Sequence, residues 1–413
     1  MTFADAADVI VVGGGAAGLA TAIFAARRRP ERKVLILDGA RRLGAKILVS
    51  GGGRCNVTNT VVTEADFYGG SSRFVRRVLR AFRVEQTIAF FEEIGVTLHE
   101  EEDGKLFPDS NRARTVLDAL LGEAERRSVK VLSGHRVVSL ERRDDGFLVR
   151  TPERSLSAGK VVLATGGLSL PKTGSDGLGL DIAARVGHSV VATTPALVPL
   201  VLQGDSHRTL SGVSHPAELT VRVAGRAPVR ISGPLLWTHF GVSGPAVLNA
   251  SRFWCRARLE GRDVTVSACL LAGEDFEKAE KRMLSIAAER PRLQIQNVLS
   301  TSLPTSVGRA VLGQLGLSGE TPVGQLSRDD RRRLVHALVD WPLQVSDTRG
   351  YSFAEVTAGG IPLEEIDPAT MASRKCPGLH LVGEMLDVDG RIGGFNFQWA
   401  WSTGWVAGAA VVE

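Results

Sequence analysis

The sequence is poor in cysteine: its four thiols, Cys55, Cys255, Cys269 and Cys376, lie far apart and form no CxxC pair. That excludes a disulfide framework and a cysteine-rich zinc site; reduced thiols, a cytoplasmic location and no bound metal are expected. The opening residues "MTFADAAD" lack a basic stretch, so no secretory leader is expected. There is no internal repeat and no low-complexity segment. Lysine is scarce, and the excess behind the net charge of +5 and the pI of about 9.2 is nearly all arginine. Such an excess either aids approach to RNA and other anions or reflects background composition. Hydrophobic residues at 44% and charged residues at 23% exclude a disordered chain, and 413 residues suit two or three lobes. The longest apolar run, Val9 to Ala26, approaches the length of a membrane span. Gly13 to Gly15 interrupt it, and a strand turning into a helix explains it better; no membrane association is expected.

What that run contains is a nucleotide fingerprint. Val9 to Val12 read as a strand buried on both faces. Gly13-x-Gly15-x-x-Gly18 follows at once, and Leu19 to Arg29 then has helical spacing, arginines at its end and Pro30 just beyond. Gly13 permits the tight turn, Gly15 a close approach to a pyrophosphate, and Gly18 close helix–strand packing, while Ala16 and Ala17 open a helix whose free N–H groups face the phosphates. "KVLILD" (Lys33–Asp38) reads as the next parallel strand. Its terminal acid, Asp38, comes about 20 residues after Gly18, where a carboxylate accepts from the ribose hydroxyls and repels a 2′-phosphate. The bound nucleotide should be FAD or NAD rather than NADP.

Three later stretches favour FAD. "KVVLATGG" (Lys160–Gly167) is an apolar strand ending in a turn, with Thr165 and Gly166 as expected cofactor contacts. "LHLVGEMLDVDGRIGGFNFQWAWSTGWVAGAA" is a strand (Leu379–Val382), a Gly383-Glu384 turn, a loop and a helix. Glu384 is the expected acid for a ribitol chain, and Gly393, Gly394, Phe395, Asn396, Phe397 and Gln398 are expected to line the flavin with main chain. The same stretch also suits a buried helix closing the sheet. "HRVVSLERR" (His135–Arg143) reads as an intervening strand, with Val137 at the adenine edge. The chain has one GxGxxG only, so a dedicated second NAD(P)H domain is not expected.

The densest short motif is "GAKILVSGGGRCNVTN" (Gly44–Asn59). Glycines mixed with hydrogen-bonding side chains bring main chain close to a ligand. Lys46, Gly52, Gly53, Arg54 and Asn56 are the expected cofactor contacts. With "ATGGLSLPKTGSDGLGLDIA" (Ala164–Ala183), "THFGVSGPAVLNAS" (Thr238–Ser251), "AEVTAGGI" (Ala354–Ile361) and "GEMLDVDGRIGGFNFQWAWSTG" (Gly383–Gly404), the chain resembles the BaiN/RdsA-type NAD(P)/FAD-dependent oxidoreductases, the aminoacetone-oxidase-like FAD-binding flavoproteins. The resemblance implies an α/β fold: a discontinuous Rossmann-like, two-dinucleotide-fold FAD domain (residues 1–194 and 353–413) carrying an inserted β-barrel-like part (195–272 and 342–352) and a helical part (273–341). The residues agree. "ELTVRVAGRAPVR" (Glu218–Arg230) and "DVTVSACLL" (Asp263–Leu271) alternate with period two, whereas "EDFEKAEKRMLSIAAER" and "SRDDRRRLVHALVDW" are helical.

The resemblance also implies chemistry: a flavin reduced transiently by NADH or NADPH. Its members are linked to reduction of uridine in large-subunit ribosomal RNA, to bile-acid ring reduction and to amine oxidation. Uracil C5=C6 and a steroid enone share a double bond conjugated to a carbonyl, so C=C reduction is the economical shared reading. Such a reaction needs a proton donor beside the hydride acceptor. Cys55 is the expected donor, and Arg54 is expected to steady flavin or substrate oxygens; a packing thiol and a loop-holding arginine are the alternatives. His239 either faces substrate or is structural, Asp387 and Asp389 either reach ribitol or cap their turn, and Cys376 is expected to be structural. Arg73, Arg76, Arg77, Arg80 and Arg83, with Arg328, Arg331, Arg332 and Arg333, fall on helical faces that suit ribosomal RNA or are merely solvated. A uridine in folded RNA must be unstacked to react. The competing readings are a small-molecule enone reductase, an O2-dependent amine oxidase and a non-catalytic flavin-containing RNA-binding protein.

Overall fold

The computed structural model describes residues 6–413; the first five residues of the segment read above as lacking a leader lie outside it. The chain divides into two compact units. One runs to Pro195 and resumes at Ala354–Glu413; the other is Ala196–Phe353.

The first unit is built on a seven-stranded sheet. Strand β1 (Ala6–Val12) enters α1 (Ala16–Arg28), which returns to β2 (Val34–Asp38). Helix α2 (Ala113–Arg126) precedes β3 (Lys130–Ser133), and β4 (Ser139–Arg143), β5 (Gly146–Arg150) and β6 (Ser155–Leu163) follow as a meander. The order is β3-β2-β1-β6-β5-β4, and β7 (Leu379–Leu381) adds to the C-terminal half of β6. Strands β3, β2, β1, β6 and β7 are mutually parallel, while β5 runs antiparallel between β6 and β4. Val9 to Val12 and Val161 to Leu163 are buried, as central parallel strands require. The last helix, α3 (Phe395–Val411), is apolar around its circumference and packs along α1. Its N-terminus therefore belongs to the same layer as the fingerprint helix, though almost 400 residues separate them in sequence. Among the described residues no helix is long and apolar enough to cross a membrane.

Two sequence expectations shift. His135 to Val138 are not strand; β4 starts at Ser139. Gly134 N and His135 N instead donate to the carbonyls of Ala40 and Asp38, pinning this link beside the end of β2. The Glu218–Arg230 stretch is not one strand but a hairpin between Ser214–Val223 and Val229–Thr238, with Gly225 at φ +76° in the turn. That hairpin belongs to the second unit, a seven-stranded antiparallel sheet with helix Pro245–Leu259 against it and the helices Phe276–Glu289, Ile295–Ser300, Thr305–Leu315 and Arg328–Val339.

Candidate cofactor and active site

The turn between β1 and α1 brings main chain to a ligand. Gly13 has φ +106°, and a Cβ there would lie 2.5 Å from the Ala164 carbonyl oxygen. A Cβ on Gly18 would fall 1.9 Å from the Gly13 carbonyl oxygen, so only glycine lets α1 close on its strand. Gly15 differs: nothing lies within 4 Å of the Cβ it lacks. It is the N-cap of α1, with no side-chain cap and no acid in the first turn. The N–H groups of Ala16, Ala17 and Gly18 are thus left for an anion, with the helix dipole behind them. Nearby, Thr165 Oγ1 is buried with no hydrogen-bond partner among the described residues. An open glycine cradle at an uncapped helix start and an orphaned hydroxyl fit a dinucleotide cofactor.

Asp38 ends β2 on the same edge. Its carboxylate accepts from Gly14 N (2.6 Å) and Ala40 N (2.7 Å). Burial raises its pKa, and the two N–H donors oppose that rise. Val137 lies in the link that the His135 N to Asp38 carbonyl bond holds here.

At the other side of α1, Gly383 has φ +71°, and a Cβ there would meet Ala17 Cβ at 2.8 Å. Its N–H donates to Thr403 Oγ1 and its carbonyl accepts from Trp399 Nε1, so α3 clamps the Gly-Glu turn against the fingerprint helix. Glu384 then anchors a polar cluster. Lys46 Nζ reaches both Glu384 Oε2 and Ser169 Oγ at 2.5 Å. Ser169 Oγ and Thr357 N donate to Glu384 Oε1 at 2.6 and 2.9 Å. Thr357 Oγ1 accepts from the N–H groups of Leu168 and Ser169. Four distant stretches thereby meet: the Lys46 loop, the turn after β6, the strand Val356–Gly360 and the Gly383 turn. Ser169 and Thr357 were not singled out from sequence, although both lie inside quoted motifs; one hydroxyl two residues after a Gly-Gly pair and another two residues before a second pair share no periodicity to expose them.

The glycine-rich loop is fastened to the start of α3. Gly51, Gly52 and Gly53 all have positive φ, and space is open around Gly52. Asn56, with its amide oriented as its neighbours require, accepts from Gly394 N (3.1 Å) and donates to the carbonyls of Thr58 and Leu106. Gln398 accepts from Thr58 Oγ1 (2.6 Å) and donates to the Phe82 carbonyl and Ser402 Oγ. Asn396 bonds both main-chain groups of Gly390. These three amides are spent inside the protein, so any contact they make with a ligand is through main chain. Phe395 is fully buried, Phe397 stacks on Trp401, and a Cβ on Gly394 would strike the Thr58 carbonyl at 2.4 Å. Gly393 receives Asn59 Nδ2 on its carbonyl, and Gly166, at φ +74°, turns over Ser175.

The structure places both residues expected to be catalytic within the packing of the loop. Cys55 is fully buried in a left-handed backbone conformation, and burial pushes its thiol up to about 12, against the Ser50 hydroxyl. A thiol so placed holds its proton and packs the loop. Arg54 forks onto Glu101 (2.6 and 3.2 Å) and lies 4.1 Å over the Phe107 ring, so it ties the loop to its neighbours. The guanidinium in turn holds the Glu101 carboxyl below its usual range. Cys376 is buried, as are the other thiols, and none of the four is in a disulfide. Asp389 is buried in the short strand Val388–Gly390, paired with Phe67–Gly69, and His239 is exposed beside Phe240 in the second unit. Arg73, Arg77, Arg80 and Arg83 are exposed on or beside helix Ser72–Ala81, and Arg76 pairs with Glu64. In the second cluster Arg331 pairs with Glu280, Arg332 lies over Phe276 and Arg333 bonds Asp330, leaving that face largely self-satisfied.

A parallel sheet with a glycine cradle, a ribose-side acid and a second Gly-Glu turn on one helix defines a Rossmann-type FAD-dependent oxidoreductase. Within that class the chain belongs to the HI0933-like family, whose Rossmann-domain model matches residues 7–410. It is 35% identical over 401 residues to the ribosomal RNA dihydrouridine synthase of Escherichia coli, covering 96% of each chain. It is 33% identical over 403 residues to the 3-dehydro-bile acid delta(4,6)-reductase of Clostridium scindens, covering 98% of each. Among solved structures, a 3-ketosteroid delta1-dehydrogenase from Sterolibacterium denitrificans superposes with TM-score 0.51 at 13% identity, covering 99% of each chain, which speaks for the fold alone.

Proposed function

We propose that this protein reduces a C=C bond conjugated to a carbonyl, with FAD as the bound carrier and NADH or NADPH as transient reductant, and that the substrate is uridine in large-subunit ribosomal RNA, reduced to dihydrouridine in the cytoplasm. One observation carries the reading. Two relatives, matched over nearly their whole length, are named for acting on a ribosomal uridine and on a bile-acid ring, and the shared chemistry of those substrates is a polarised C=C. The exposed arginines at positions 73, 77, 80 and 83 support the RNA form, since phosphate contacts supply most nonspecific affinity.

FAD supplies hydride transfer when bound. The chain's own residues do the rest of the holding. The N–H groups at Ala16 to Gly18 take the pyrophosphate, Asp38 the adenosine ribose, and the link at Val137 the adenine edge. Thr165 and Gly166 stand at the phosphate-side turn. Gly383 and Glu384 take the ribitol side, while Lys46, Gly52, Gly53, Asn56 and the 393–398 turn offer main chain and charge near the ring. Lys46 compensates the Glu384 carboxylate and keeps this pocket from accumulating negative charge.

The test is an anaerobic titration of the purified yellow protein with NADH and then NADPH, followed by an unmodified large-subunit ribosomal RNA transcript or cyclohexenone. Bleaching by a nicotinamide and recovery by the RNA, with dihydrouridine found in the product, is expected. Recovery by cyclohexenone and not by RNA would shift the substrate to small enones, the reading that the bile-acid relative favours. Rapid peroxide formation from small amines without nicotinamide consumption would replace the reductase with an amine oxidase.

A further inference from the structure

We propose that Glu355 is the catalytic acid of this site, protonating the substrate carbon next to the activating carbonyl. The proposal rests on the reductase reading above, and it fills the role that the buried Cys55 leaves open.

Glu355 is out of character with its surroundings. Ala354 and every residue from Val356 to Ile361 are buried, yet the Glu355 side chain is solvent-accessible. No hydrogen bond or ion pair to its carboxyl is found among the described residues. Its main chain lies against the cluster: the Glu355 carbonyl oxygen is 3.3 Å from Ser169 Oγ, and two residues on Thr357 N donates to Glu384. Glu355 sits at a bend immediately before strand Val356–Gly360, whose Thr357 meets the Lys46–Ser169–Glu384 cluster. Lys46 is the cation that acts on it, and the second carboxylate here is Glu384, paired with that same lysine. That lysine is already committed, at 2.5 Å, to Glu384 and to Ser169. One carboxylate is thus neutralised by direct contact and the other is left without a partner of its own. Two carboxyls in unlike settings beside one cation divide into a charged and a neutral member. Although the side chain opens to solvent, the protein packed around its carboxyl raises the Glu355 pKa against the pull of Lys46, in keeping with the neutral assignment.

The step balances. A hydride from reduced flavin forms a C–H bond at the carbon remote from the carbonyl, the π bond breaks, and the Glu355 proton forms the second C–H bond at the carbon beside it. The acceptor gains two electrons, the flavin loses two, and water returns a proton to the carboxylate. A positioned acid of this kind is worth about 10²–10⁴-fold in rate.

The experiment uses the holoenzyme and Glu355→Gln. Nicotinamide should bleach both flavins equally fast. Reoxidation of the reduced variant by cyclohexenone, or by the ribosomal RNA transcript, should be slower by about 10²–10⁴-fold, with acceptor KM little changed. Infrared difference spectra should show a protonated-carboxyl C=O band at neutral pH in the wild type that Glu355→Gln lacks; this readout needs no turnover and a merely structural residue would not produce it. If Glu355→Gln fails to hold FAD, Glu355→Asp and the wild-type band titrated with pH carry the test. A variant reoxidised at the wild-type rate, or a wild-type enzyme that turns over while Glu355 is ionised, overturns the assignment. A wild type reoxidised by neither acceptor overturns the reductase reading, and the acid role falls with it.

Discussion

Glu123 lies on α2 beneath three guanidinium groups. Arg27 from α1 reaches it at 2.6 Å and Arg126 and Arg127 at 2.9 Å, leaving its side chain 4% exposed. Burial alone would raise its pKa, but the arginines win and hold it below the 4.5 of an ordinary glutamate. A carboxyl depressed on folding stabilises above its unfolded pKa, and that contribution is lost as pH falls through the folded value. Acid titration of stability should therefore show a loss that begins near pH 4.5 and deepens below it, and Glu123→Gln should remove that feature. The same variant should cost about 2 kcal/mol at neutral pH by leaving three arginine donors short of a charged acceptor, read from the urea midpoint. Gly14 makes a second residue-scale prediction. A Cβ there would stand 2.3 Å from Leu43 Cδ2 and 3.1 Å from Asp38 Oδ2. Gly14→Ala should weaken FAD retention, seen as flavin released on dilution, because Asp38 must move with Leu43. Sequence reading reached Gly13, Gly15 and Gly18, whose spacing is a recognisable pattern. It passed over Gly14, whose constraint comes from Leu43, remote in the chain.

The pairing of α1 with α3 is the contact on which the two ends of the chain depend. It is close because small residues line it. A Cβ on Gly404 would sit 2.7 Å from Ala20 Cβ and 2.9 Å from the Ala17 carbonyl oxygen, and one on Gly408 would sit 2.7 Å from the Thr21 carbonyl oxygen. Gly404→Leu should force the helices apart at a cost of about 1–3 kcal/mol in chemical denaturation, the usual range for overpacking. It should also lower FAD content, since the same displacement moves the N-terminus of α1 away from the Gly383 turn; a stability loss with full FAD content would argue against that coupling. At this scale the strand–turn–helix at the start was legible, because an all-apolar strand, a glycine turn and a 3.6-residue period reinforce one another. The late strand, turn and helix of residues 379–411 were legible from a short apolar strand, a glycine turn and a long run of apolar and small residues, for this helix is apolar on every side and shows no 3.6-residue period. His135–Arg143 was overread as a single strand, because its alternation extends past the point where main-chain donors turn toward β2. The Lys46–Ser169–Thr357–Glu384 cluster stayed hidden, since local pattern cannot show that four separated turns converge.

For the whole molecule, the question is how a cofactor fold survives being split by its insertion. The resemblance implied a split FAD domain, and cofactor motifs lie at both ends of the sequence while the middle changes from period two to helical spacing. The structure shows how the split is closed. The chain leaves the first unit through strand Val191–Ala196 and returns through strand Val356–Gly360, and these two pair in one small sheet. Their main chains touch: a Cβ on Gly359 would lie 2.7 Å from the Ala192 carbonyl oxygen. Bridging points this close costs little loop entropy, and that cost grows only slowly with loop length. A chain in which residues 197–353 are replaced by a short glycine-containing turn should accordingly fold as one cooperative unit. It should purify yellow and gain stability with added FAD, by about 2.7 kcal/mol when free FAD is 100-fold above its Kd. Thermal melts across an FAD series, read by circular dichroism and by flavin fluorescence, provide the measurement. Coincident transitions that climb with FAD are the expected result. A colourless product, or a melt indifferent to FAD, would mean that the sheet, the α1–α3 pair and the glycine cradle do not suffice to hold the cofactor without the residues of the insertion.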